Sequence, residues 1–127
     1  LQAHGWKIVD PHMVVASPSL YRAYIQSSLG EISCAKPIFR ELKTGWFSDR
    51  SVCYLASGRP VLAEDTGWSD DLPVGQGLLP FRDIDEAVAG AAEIAAHYSS
   101  HSQAAREIAE AYFDSHKCLE GMLSASG

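Results

Sequence analysis

The sequence predicts one α/β domain, a small and mainly parallel sheet of about four strands flanked by helices. Three observations predict it. Short apolar runs alternate with stretches of helical periodicity, the order expected of parallel strands joined by crossover helices. Residues 44–67, TGWFSDRSVCYLASGRPVLAEDTG, hold one complete unit of that alternation: loop, helix, turn, strand and loop. The length of 127 residues with 46% hydrophobic content suits one core and is too short for two, so residues 1–127 form a single domain with terminal helices from about residue 83.

Within the central unit, Ser48 is placed to cap a helix whose Val52, Leu55 and Ala56 share a face. Gly58 suits the left-handed residue that follows a helix, and Pro60 forbids its continuation, so the chain enters the strand PVLAED. Upstream, GWKIV at 5–9 is expected to be a strand closed by Asp10-Pro11, followed by a loop. Ser17-Pro18 then opens a helix carrying Leu20, Tyr21, Tyr24, Ile25 and Leu29, which Gly30 stops. EISCA at 31–35 reads as a strand with Ile32 and Cys34 on one side, and 38–47 reads as irregular.

Downstream, Asp70 to Gly77 is a long connection into the strand LLPF. Gly75 and Gly77 do not lead from a strand into a glycine-marked helix start, which excludes a dinucleotide fingerprint. Asp83 and Glu86 have capping-box spacing ahead of a stripe of Ile84, Ala87, Val88, Ala91, Ile94 and Ala95. Ser100 and Gln103 repeat the signal for QAAREIAEAYF, and a short helix is expected from Ser115, ending in a frayed SASG tail.

The net charge of −6 and the absence of a basic stripe exclude a nucleic-acid face. No segment approaches the roughly 20 apolar residues of a membrane span. Cys34, Cys53 and Cys118 lack pairing and metal-ligand spacing and are expected to be reduced and buried in a cytoplasmic protein. His97 and His101 are four apart, but no third ligand completes a metal site, so both are expected at the surface.

The order helix, ASGRPVL, acidic DTG loop resembles the late part of the C-terminal, nucleotide-sugar-binding domain of GT-B glycosyltransferases. The resemblance runs from about Gly5 to Leu119 through SSLGEISCAK, GWFSDRS, LPVGQGLLPF and AAREIAEAYF. It implies a partial Rossmann-like half-domain and a parent reaction that transfers a sugar from a nucleotide-sugar donor of UDP or GDP type, without a further cofactor. The implied donor contacts are Ser48, Arg50 and Ser51 at the start of the central helix, with Asp65, Thr66 and Gly67 in the loop after the strand. No catalytic residue is assigned; Glu31 is weighed as a catalytic carboxylate and read as a turn residue.

The chain departs from the family at two positions. Aligning the shared Gly-x-Pro-Val turn puts the family's two glutamates at Gly45 and Cys53, so no carboxylate in this helix holds the donor ribose. The resemblance also implies that strands lie upstream of Leu1, together with the acceptor domain. In a sheet ordered 3-2-1-4-5-6 the segment GWKIV then lacks its neighbours, and an apolar edge invites a second copy, so a homodimer or a rearranged sheet is expected. The alternatives are a non-catalytic α/β dimerisation or partner-binding module, and a small flavodoxin-like nucleotide-binding protein, for which Asp10-Pro11-His12-Met13 supplies no phosphate loop.

Overall fold

A computed structural model describes residues 1–127. The sheet has three parallel strands, β1 (Glu31–Ser33), β2 (Val61–Glu64) and β3 (Leu78–Phe81), in the order β1-β2-β3. The register pairs Ile32 with Leu62 and Leu62 with Leu79. Around it lie α1 (Pro11–Val14), α2 (Pro18–Ser27), α3 (Pro37–Glu41), α4 (Asp49–Ala56), α5 (Ile84–Ala96), α6 (Tyr98–Tyr112) and α7 (Ser115–Ser126). No helix is long and apolar enough to cross a membrane.

Strand alternation sorts the core onto two faces. Val61, Ala63 and Leu78 point to one side, where they meet Ile25 of α2, Tyr54 and Leu55 of α4, Trp68, and Ala105, Ile108 and Ala109 of α6. Leu62, Leu79 and Phe81 point to the other, against Ala87 and Ile94 of α5. Gly90 lets α5 lie close on the sheet, because a Cβ there would come within 2.7 Å of Leu62 Cδ1.

The turn after α4 explains the density of its sequence signals. The Arg59 amide donates to the Tyr54 carbonyl and the Gly58 amide to that of Leu55, both at 2.9 Å, with Gly58 at φ 65°. That is a Schellman cap, which satisfies the last carbonyls and turns the chain directly into β2.

Several expectations change. The fourth strand does not form: Trp6, Ile8 and Val9 are 58%, 60% and 38% exposed, and the outer edge of β1 has no strand beside it. The run buries little apolar surface against the sheet, so little offsets the entropy of ordering it as a strand. Residues 11–14 and 37–41 are helical where a loop and an irregular segment were expected, each opening on a proline at the first helical position. Ser100 does not begin a helix; α6 starts a turn earlier at Tyr98, whose hydroxyl is anchored on the Leu29 carbonyl at 2.7 Å. Ile84 and Val88 are largely exposed, because α5 covers β2 and β3 but not Ile32 of the edge strand. The tail expected to fray is helical to Ser126, with Asp114 as the cap.

All three cysteines are exposed rather than buried. Cys34 follows β1 on its uncovered side, Cys53 sits on the outer face of α4, and Cys118 lies on α7, which buries no residue. His101 departs in the opposite sense and is buried.

Candidate functional site

Strands β1 and β2 deliver their carboxyl ends beside the first turn of α4. Ser33, Ala35, Ala63 and Glu64 from the strand ends meet Trp46, Phe47, Ser48, Ser51 and Trp68 around a cavity of about 10 Å³, at the lower limit for a single water.

Helical spacing explains what happens to the serines. Ser48, Ser51 and Leu55 fall at i, i+3 and i+7, so all three turn inward with Leu55. The expected cap by the Ser48 side chain is not made, since its hydroxyl turns toward the sheet with that face. Asp49 Oδ1 instead accepts from the Arg50 amide at 2.8 Å. Ser48 is 6% exposed and Ser51 1%. Of the three expected contacts in this turn, Arg50 is the one that reaches solvent.

Arg50 crosses to the edge strand. Its Nε donates to Glu31 Oε1 and its Nη2 to Ser33 Oγ at 3.0 Å. The Glu31 side chain is 5% exposed, while that of Arg50 is 49% exposed. Glu31 is thus a buried strand residue, not the turn residue expected, and its Oε2 has no hydrogen-bond partner. The bond to Glu31 holds the guanidinium more firmly charged. Burial pushes the neighbouring Tyr21 and Tyr54 hydroxyls up, so both stay neutral donors.

The loop after β2 is bonded internally. Asp65 accepts from the Gly67 amide at 3.0 Å, Ser69 Oγ at 2.8 Å and Arg82 Nη2 at 2.9 Å. Burial raises its pKa, but the hydrogen bonds from Gly67 and Ser69 and the charge of Arg82 outweigh that and leave the carboxyl below the usual aspartate range. Thr66, 1% exposed, donates to the Trp46 carbonyl at 2.7 Å, and its own carbonyl accepts from the Gly45 amide at 2.9 Å. Gly67 stands at φ 104°, a conformation open to glycine.

Thr66 therefore ties the two expected groups together by stitching the 44–47 loop to the 65–67 loop. Their charged members diverge, since Arg50 is paired on β1 and Asp65 with Arg82 beyond β3. The sequence reading missed Glu31 and Ser33 as a pair, although Ile32 and Cys34 on one side of EISCA put them on the other. It also missed Glu64, which accepts from the Ala35 amide at 2.9 Å and Arg40 Nη1 at 2.8 Å. No local signal marks that bridge, which spans 24 residues to Arg40.

At the solvent side, Trp46 stacks on Phe39 with centroids 5.0 Å apart and planes 17° from parallel, and Trp46 is 40% exposed. The edge thus offers an aromatic face, two half-exposed arginines and a helix N-terminus whose hydroxyl cap is not made. Such a set suits a planar ring joined to an anion. No three His, Cys, Asp or Glu side chains are grouped to hold a metal ion. No family model, no curated protein and no solved structure matches the chain.

Proposed function

We propose that the chain is donor-binding material of a GT-B-type glycosyltransferase, a partial Rossmann-like unit that takes a nucleoside diphosphate sugar of UDP or GDP type at the carboxyl edge of its sheet. The observation that carries the reading is the first turn of α4 at that edge, where the Ser48 hydroxyl makes no cap, Arg50 is half-exposed and Trp46 presents an exposed face. Asp49 Oδ1 holds the Arg50 amide, so the other first-turn amides are the ones to meet phosphate oxygens, and the helix dipole favours their charge. Arg50 supplies a fixed positive charge for the leaving diphosphate, held in place by Glu31 and Ser33. Ser48, Ser51, Asp65, Thr66 and Gly67 act chiefly as scaffold, setting the two loops that border the site.

The test is titration of UDP, GDP and their glucose conjugates into the protein, read by tryptophan fluorescence and amide shifts at residues 46–51. Saturable shifts there that weaken at least about tenfold in Arg50→Ala, the loss of one charge-assisted contact, support the reading. Absence of any response to either diphosphate overturns it.

A second reading, a non-catalytic α/β module that forms a homodimer, is favoured by the free outer edge of β1. Ile32 there is 52% exposed beside Cys34, Phe81 and Val88, which line an open groove of about 500 Å³. Unpaired strand edges promote association. Sedimentation equilibrium decides it, and a monomer at all concentrations removes it.

A further inference from the structure

His101 is 1% exposed, and α6 aims its imidazole at the end of the β2–β3 connection, where the Gly77 amide donates to Nδ1 at 3.0 Å. A nitrogen that accepts from an amide carries no proton of its own, so the geometry assigns the neutral ring with hydrogen on Nε2. That nitrogen lies 3.7 Å from Glu93 Oε1 of α5.

Gly77 is clamped from both sides. Its carbonyl accepts from the Val61 amide at 2.9 Å, which begins the ladder between β2 and β3. A Cβ on Gly77 would lie 2.3 Å from the Ala105 nitrogen and 2.7 Å from the Ala104 carbonyl carbon. The backbone is therefore seated against α6 just where His101 and Ala105 stack one turn apart. Residues 73–76, by contrast, are exposed.

We infer that His101 is a protonation-sensitive latch that holds the β2–β3 connection on α6. A proton from solvent on Nδ1 turns the acceptor into a donor, two N–H groups then face each other, and residues 71–77 lift from the helix. The charged group that faces the ring is Glu93 of α5. It is 51% exposed and also pairs with His97 Nδ1 at 2.9 Å. At the contact itself the connection presents only the Gly77 amide. The latch stands whatever the sheet edge binds.

Hydrogen exchange at the Gly77 amide, corrected for intrinsic rates, tests this between about pH 8 and about pH 5, the range in which imidazoles charge. Protection is expected to fall by up to about tenfold per pH unit once the ring titrates. His101→Asn places a carbonyl oxygen near the Nδ1 position, keeps the acceptor and cannot be protonated, so its Gly77 protection is expected to stay flat. Flat protection in the unaltered protein, or an equal loss in the variant, overturns the latch. Should His101→Asn fail to fold, the ring nitrogens of the unaltered protein decide. Protonation of Nδ1 in step with the Gly77 amide shift supports the latch, and protonation without that shift overturns it.

Discussion

Gly77→Ala isolates the seating of the β2–β3 connection on α6. Its proper control is Gly45→Ala, because the two glycines share nearly the same left-handed backbone, φ 75° and φ 71°, while a Cβ on Gly45 meets nothing within 4 Å. Each substitution costs roughly 1–2 kcal/mol for placing a side chain in the left-handed region. Gly77→Ala adds a second cost, because the atoms met at 2.3 and 2.7 Å are helix backbone and cannot rotate away. Relief requires the connection to shift, which loosens the His101 and Val61 bonds and adds about 2–3 kcal/mol on the scale of overpacked cores. A domain of this size is stable by only about 5–15 kcal/mol, so the loss is a large share of the total. In urea, read by tryptophan fluorescence, with a slope of about 2 kcal/mol/M, the Gly77→Ala midpoint is expected about 1 M below that of Gly45→Ala. Equal midpoints would refute the reasoning, since they would leave conformational strain as the whole effect.

Arg50→Ala strands the buried Glu31 carboxylate and is expected to destabilise by about 1–3 kcal/mol, discounted for the solvent on the arginine side. Adding Glu31→Gln should recover much of that loss, which a double-mutant cycle in urea measures. Thr66→Val removes the hydroxyl bonded to the Trp46 carbonyl and should cost about 1–2 kcal/mol, with a change in tryptophan emission as the 44–47 loop loosens. Asp65 has its carboxyl pKa depressed in the folded state, so its stabilisation is present above the ordinary aspartate value of about 3.9 and is lost as pH falls through the lowered one. Asp65→Asn is therefore expected to be less stable at neutral pH and to show a shallower acid limb in pH-dependent unfolding.

What the sequence by itself determined is local. The Schellman turn at Gly58, the caps at Ser17 and Asp83, and the strands at 31, 61 and 78 each follow from residues within a few positions of one another, so spacing alone reveals them. What only the tertiary structure decided depends on neighbours distant in the chain. GWKIV has a strand's composition yet forms none, because Trp6, Ile8 and Val9 bury little surface against the rest of the fold. Ser48 has a cap's position, but the face it shares with Ser51 and Leu55 is drawn against the sheet, and this makes donor-contact candidates into buried scaffold. Asp65 and Thr66 were legible as a loop at a strand's end, while their engagement with Arg82 and Trp46 was not. His101 and Glu31 carry no local mark of burial. Their places come from packing α6 against Gly77 and α4 against β1, contacts between segments that only the folded chain brings together.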